Sequence, residues 1–217
     1  MSHPLSPDVW EILACPYCGG ALSRIGDGAR CMTCQDTFGC SPSVQLDLRL
    51  RTPKMAQLQF PLDSHAVAEP PPAADRLRMN PHPDVEFRQV TVPWHLSKAL
   101  MSYFPRAGGR HSFMLDLACG RAIHRAVCEH AGFQYVGLDI DSLDAPLLGD
   151  AHALPFKDHS FEFILSIATL EHIRYPFVMM QEAYRVLKPG GRLIGTVAFL
   201  EPFHQSWYHH SHLGTAN

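Results

Sequence analysis

The sequence lacks any apolar run of about 18 residues, which excludes a membrane-spanning helix and a membrane partner of that kind. Its first residues, MSHPLSPDVWEILACPYC, carry no basic stretch followed by an apolar one, so no secretory signal is read there. Lys and Arg nowhere gather into a run. With 18 of them against 21 Asp and Glu, the formal net charge is -3, and charge alone gives nucleic acid no general attraction. There is no internal repeat. These absences point to a cytoplasmic globular protein. Glycine is also scarce at one telling place: LDLACGRAIH, residues 115–124, has the outline of a strand running into a cofactor loop, yet Gly120 is its only glycine.

What is present divides by composition into three regions. Residues 1–50 are a cysteine-rich head, 51–84 a Pro-rich linker, and 85–217 an α/β body, enough for one good-sized core and a small satellite. The linker carries the triplet Pro70 to Pro72 and has PPII character, although its few apolar residues can lie across the body. In the body, Leu96, Leu100 and Phe104 fall at helical spacing before Pro105. The short apolar runs SFMLDLA, QYVGLDID, a piece around Pro146 to Leu148, SFEFILSIA and GRLIGTVAFL read as five buried parallel strands. Helices in RAIHRAVCEHAG and AYRVLK separate them, the second broken by Pro189 and Gly190. Strands alternating with helices give a doubly wound, Rossmann-like parallel sheet.

Seven cysteines are an odd number, and four form two C-x-x-C pairs, Cys15 with Cys18 and Cys31 with Cys34. Each pair lets two thiolates from one tight turn converge on one ion, and four thiolates close a tetrahedron with no position left for water. The reading is structural zinc, as in a zinc ribbon. The competing reading is redox, because CPYC is also the active-site tetrapeptide of glutaredoxins; but Gly19 and Gly20 oppose helix continuation there, and the second pair would be unexplained. Cys40, Cys119 and Cys128 read as small buried residues.

In a doubly wound sheet the ligand lies beyond the carboxyl ends of the strands. Asp116 and Gly120 follow the first strand, Asp139 ends the second, Asp150 follows the third and Ser166 ends the fourth. An acidic residue about 20 positions after the glycine loop is placed to accept ribose hydroxyls. The missing glycines and the charge of Asp116 disfavour a pyrophosphate, so a nucleoside-like ligand without phosphate fits better.

LDLACG, VGLDID, GDAHALPFKDHSFEFILSIATLEHI and EAYRVLKPGGRLIGTVAF resemble, in order and spacing, the successive motifs of class I S-adenosylmethionine-dependent methyltransferases, particularly the small-molecule-type group. The resemblance runs from Leu115 to Phe199. It implies S-adenosylmethionine as cofactor, with Asp116 and the backbone of Ala118, Cys119 and Gly120 at the methionine end. Asp139 would then take the ribose, Ile140 the adenine face, Asp150 and the Ala151 amide the adenine edge, and Ser166 the methionine moiety through its backbone. The family loop commonly has glycine where this chain has Ala118 and Ala122. Alanine is costly there only if φ is positive. His172, in LEHI, is the candidate general base, although EH at this place also suits a role in holding the site together. The head, residues 11–49, resembles small zinc-ribbon proteins that activate tRNA and protein methyltransferases, a module also found fused to methyltransferase domains that modify ribosomal RNA.

The tail, FLEPFHQSWYHHSHLGTAN, places His204, His209, His210 and His212 after the fifth strand, where they can line an acceptor pocket. The family usually continues into two further strands, so the sheet reads as truncated after strand five. Its open edge then calls for cover by the tail, the linker, a homodimer or another partner. The functional expectation is methyl transfer to a small-molecule acceptor, with ribosomal RNA or protein as further acceptors. A non-catalytic binding or scaffold protein is the alternative.

Overall fold

The computed structural model describes residues 5–57 and 85–197. The head opens with α1, Pro7–Ile12. Ser6 caps it by accepting the Val9 amide at 3.3 Å, Pro7 presets its first turn and Asp8 complements the dipole. A small antiparallel sheet follows, β1 (Leu22–Ile25), β2 (Gly28–Cys31) and β3 (Thr37–Phe38), with β2 in the middle. Then comes β4, Leu46–Asp47, which leaves the head and pairs in parallel with a strand of the body.

The body contains α2 (Lys98–Met101), β5 (Phe113–Leu117), α3 (Arg125–His130), β6 (Gln134–Asp139), β7 (Leu147–Leu148), β8 (Phe161–Ile167), α4 (Pro176–Val186) and β9 (Leu187–Thr196). Together with β4 these strands form one six-stranded sheet in the order β4-β7-β6-β5-β8-β9, every neighbouring pair parallel. The order reverses at β5, which gives the switch point of a Rossmann-like sheet. Among the described residues β9 pairs only with β8, and the tail expected to cover it lies outside them.

Alternation along the strands sorts the core into two layers. Leu115, Leu117, Leu138 and Ile164 face α4 and the head, where Met179, Ala183, Leu46, Leu48, Phe38 and Leu13 complete one cluster. Met114, Phe163 and Leu165 face the other way, against Leu96, Leu100, Phe104 and Val127. The three apolar residues predicted before Pro105 are therefore all buried, although the regular helix there spans only Lys98–Met101. Pro189 and Gly190 do not separate helix from strand. Leu187 already pairs with Phe161, and Arg192 with Phe163, so Lys188–Gly191 bulge out of the ladder, with Gly190 at φ +77°.

Backbone bonds join head to body at two places. Leu13 bridges Phe156, with the Ala14 amide donating to Pro155 O and the Lys157 amide to Ile12 O, both at 2.9 Å. At the sheet edge, Leu48 N donates to Leu148 O at 2.9 Å, and the side-chain Nε2 of buried Gln45 adds bonds to Ser142 O at 2.8 Å and Ala145 O at 2.6 Å. Arg185 of α4 braces the first junction from behind, donating to Leu154 O and Phe156 O while pairing with Asp158 and Glu182.

The loop after β5 has Ala118 at φ +59°, Gly120 at +51° and Ala122 at +54°. The condition that makes alanine costly is met twice, since a Cβ in the left-handed region meets the following carbonyl at roughly 1 kcal/mol per residue. Ala122→Gly is therefore expected to stabilise the protein by about 1 kcal/mol, read as a higher urea midpoint at unchanged slope. An unchanged or lower midpoint would show that the strain has been relieved some other way.

Candidate cofactor site and cysteine centre

The carboxyl ends of β5, β6, β7 and β8 surround a hollow of about 1110 Å³ at the switch point. That is large even for a ligand pocket and leaves room for a second molecule beside a nucleoside. Ala118, Asp139, Ile140, Asp150, Ala151 and His172, all singled out from sequence, line it. Asp116, Cys119, Gly120 and Ser166 do not. Residues not foreseen there are His152, Thr169, Arg174 and Tyr175 from the body, and Leu50, Lys54, Met55 and Ala56 beyond β4. Ala118 and Ala168, at the ends of β5 and β8, both line it with positive φ, so strained backbone rings the hollow on two sides.

Asp139 is nearly buried and organises the rim. Its Oδ2 accepts from Gly120 N at 2.8 Å, and its Oδ1 from Asp141 N and Ser142 N at 3.1 Å each. Ser142 Oγ in turn donates to Gly120 O at 2.5 Å. A carboxylate has about four acceptor positions, so one remains beyond these three amides. The side chain that caps the loop therefore keeps one acceptor position open among the described residues.

Asp150 is bonded differently. Its Oδ1 accepts from both the amide and Nδ1 of His152, at 2.8 and 2.7 Å, while Oδ2 has no protein partner among the described residues. The Tyr175 amide donates to His152 Nε2 at 3.2 Å, which leaves the imidazole proton on Nδ1, toward Asp150. Burial raises the Asp150 pKa, but the two His152 bonds outweigh it and hold the carboxyl below its ordinary 3.8. No sequence pattern announced this pair, because His152 lies in an irregular turn with no period to mark it.

Asp116 sits on the opposite face from Leu115 and Leu117, under the start of α3, and is 1% exposed. It accepts from Tyr135 Oη at 2.8 Å and from His124 Nδ1 at 3.0 Å, and His124 Nε2 meets His95 Nε2 at 2.6 Å. The structure thus brings two of the three expected carboxylates to the hollow and ties the third into a buried polar chain. Gly120 contributes through its amide to Asp139, and Cys119 is a buried thiol whose pKa burial and Asp116 push far up. Ser166 is buried, with no partner for its Oγ among the described residues. His172 ends a single 3-10 turn, Leu170–His172, directly after β8. His204, His209, His210 and His212 lie outside the described residues.

In the head, the Sγ atoms of Cys15, Cys18, Cys31 and Cys34 all lie within 4.8 Å of one another. Cys15 and Cys34 are 3.6 Å apart and Cys18 and Cys31 3.5 Å, close to the roughly 3.8 Å edge of a tetrahedron built on Zn–S bonds of about 2.3 Å. The nearest contacts run between the two C-x-x-C pairs, and CPYC forms a turn, not the start of a helix, so the glutaredoxin context is absent. Amides of Thr33 and Cys34 point at Cys31 Sγ, at 3.3 and 3.4 Å, and Gly20 N at Cys18 Sγ, at 3.4 Å. Burial raises the Cys31 pKa, yet the Cys34 and Thr33 amides bring it down to about 7, whereas burial pushes the Cys15 thiol up and burial together with its cysteine neighbours pushes the Cys34 thiol up. A closed four-thiol set of this size fits zinc.

The Asp150–His152 pair sets a pH dependence. With its folded pKa depressed, Asp150 contributes stability that is fully present above the unfolded value near 3.8 and is lost as pH falls through the folded value. Asp150→Asn is expected to flatten the fall of stability below about pH 4 and to lower stability at pH 6, measured by urea melts across that range. Superposable pH profiles would remove the pair from the stability balance.

A family model described as a methyltransferase domain matches residues 115–195. The ubiquinone/menaquinone biosynthesis C-methyltransferase UbiE of Ruegeria sp. (strain TM1040) is 39% identical over 97 residues, covering 42% of this chain and 34% of that protein. Demethylmenaquinone methyltransferase of Streptomyces avermitilis is 32% identical over 105 residues, covering 43% of this chain and 44% of that protein. Among solved structures, a chain from the complex of the Haloferax volcanii Trm112 methyltransferase activator with a methyltransferase is 28% identical, with a TM-score of 0.42 and coverage of 48% and 52%. The chain spans less than half the length of these curated relatives. No helix among the described residues is long and apolar enough to cross a membrane. Residues 115–195 of this chain are therefore similar to the methyltransferase-domain family.

Proposed function

We propose that the hollow binds S-adenosylmethionine, that the chain transfers its methyl group to a small-molecule acceptor, and that the four cysteines hold a structural zinc ion. The observation that carries the cofactor reading is the pair of carboxylates, Asp139 and Asp150, on one hollow at the switch point, each keeping an acceptor position that no described residue fills. When bound, the sulfonium supplies a methyl group whose thioether leaving group needs no proton, so the protein's main contribution is positioning.

The side chains divide that task. Asp139 accepts from a ribose hydroxyl while its other bonds keep the Gly120 loop closed. Asp150, aimed by His152, accepts from the adenine amino group at Oδ2, beside the Ala151 amide, and Ile140 offers an apolar surface to the base. His172, at the end of β8, is the candidate general base for the acceptor, its ordinary pKa lying near neutrality. The acceptor shares the remaining space of the hollow. The quinone-biosynthesis names of the relatives make a demethylmenaquinone the first acceptor to try. The zinc ion, with no open coordination position, cross-links the two cysteine turns and takes no part in the transfer.

Calorimetric titration with S-adenosylhomocysteine tests the cofactor reading. Binding by the unaltered protein is expected, weakened roughly tenfold or more in Asp139→Asn and Asp150→Asn, as befits charged hydrogen bonds of about 1.5–3 kcal/mol. Absence of binding by the unaltered protein, or full affinity in both variants, sinks the reading. For the metal, elemental analysis is expected to find one zinc per chain, and chelation to lower the melting temperature by several degrees. A metal-free protein that melts at the same temperature would contradict a structural ion.

A further inference from the structure

The segment following β4 has no regular secondary structure, yet Leu50, Lys54, Met55 and Ala56 all line the hollow. Without a ladder of its own, such a segment stays in place only by individual bonds, and these are specific. Tyr17, in the first cysteine turn, accepts at its hydroxyl from the amides of Arg51, at 2.6 Å, and Thr52, at 3.0 Å. Lys54 Nζ donates to Pro16 O at 2.5 Å, and the Arg51 guanidinium to Thr37 O at 3.3 Å. At the near end, Arg49 is clamped to Asp47 through Nε and NH2, at 2.9 and 2.7 Å, and donates to Ile140 O at 3.0 Å. The cysteine head therefore grips the segment on one side, while Arg49 ties its start to Ile140, just beyond β6, on the other.

The segment's position along the ligand is defined as well. Leu50 lines both the main hollow and a smaller one of about 310 Å³ beside it, and shares both with Ile140, Asp141 and Asp150. In the cofactor reading above, those residues lie at the base end of the site and not at the methionine end. Met55 lines the hollow although it is 94% exposed, and Ile140 is 40% exposed, so the described residues leave apolar surface at this rim uncovered. An aromatic base laid there buries it.

We propose that residues 50–56 form a wall of the nucleoside site, that Leu50 contacts the adenine ring together with Ile140, and that Tyr17 is the positioning residue that holds this wall on the head. This rests on the cofactor reading above. The head thereby enters ligand binding through a phenol hydroxyl and two backbone amides, from within the turn that carries Cys15 and Cys18.

Tyr17→Phe and Leu50→Ala are to be compared with the unaltered protein by calorimetry, with S-adenosylhomocysteine and separately with adenosine as probes, zinc content being measured on each sample. Tyr17→Phe is expected to weaken both probes by the same factor, about five- to tenfold, at unchanged zinc content, and Leu50→Ala to weaken both about three- to tenfold. Equal loss for the two probes places the wall at the base. Loss confined to S-adenosylhomocysteine would put it elsewhere and overturn the inference. Unchanged affinity in Leu50→Ala, with Asp139→Asn still impaired, overturns the wall while leaving the cofactor reading intact. If Tyr17→Phe loses zinc or unfolds, Leu50→Ala decides alone, since Leu50 makes none of the anchoring bonds. Failure of the unaltered protein to bind either probe overturns the cofactor reading first and this inference with it.

Discussion

The parallel pairing of β5 with both β6 and β8 is the constraint from which the rest follows. Because right-handed crossovers carry the chain to opposite sides of β5, the loops leaving β5 and β8 diverge and open a cleft that no side chain has to excavate. Everything in the hollow is attached to that divergence: the left-handed turn at Ala118, the Asp139 carboxylate reaching across to Gly120, and the 3-10 turn that carries His172. Flattening the Gly120 loop would break its bonds to Asp139 and Ser142 together, and Asp139 is in turn bonded to the amides of Asp141 and Ser142.

The two other carboxylates show how one residue type takes opposite duties from its surroundings. Asp150 keeps an oxygen toward open space because His152 occupies the other one from within the same turn. Asp116, two strands over, is enclosed by His124 and Tyr135, and its polar chain reaches half-buried His95, whose pKa burial and His124 push down against the pull of Asp116. A buried carboxylate needs such partners, and here they anchor the start of α3 to the sheet.

Much of this was legible in the sequence. Unbroken apolar runs such as FMLDL and FEFILSI can be little else than buried strands, and the paired C-x-x-C spacing leaves few geometries for four thiols. The position of Asp139 and Asp150 at strand ends followed from the same runs. Three features carried no readable signal. Strand β4 is two residues long, too short for a period, and its partner β7 is equally short. The side on which Asp116 falls depends on the phase of a strand whose two faces are both apolar, so alternation is silent there. That residues 50–56 line the hollow was foreshadowed only by the few apolar residues of a Pro-rich stretch able to lie across the body, because the contacts that hold them use backbone amides and a tyrosine from far away in the chain.

The addition of β4 to the sheet has a kinetic side. Leu46 must find Leu147 across about 100 intervening residues, and closing a loop of that length costs roughly 4 kcal/mol of chain entropy before any contact repays it. During synthesis the head emerges first and its cysteine turns can close at once, but the strand it offers has no neighbour until β7 has been made. Assembly of the outer sheet is accordingly a late event, and a nascent chain halted before residue 147 carries a finished head with nowhere to dock.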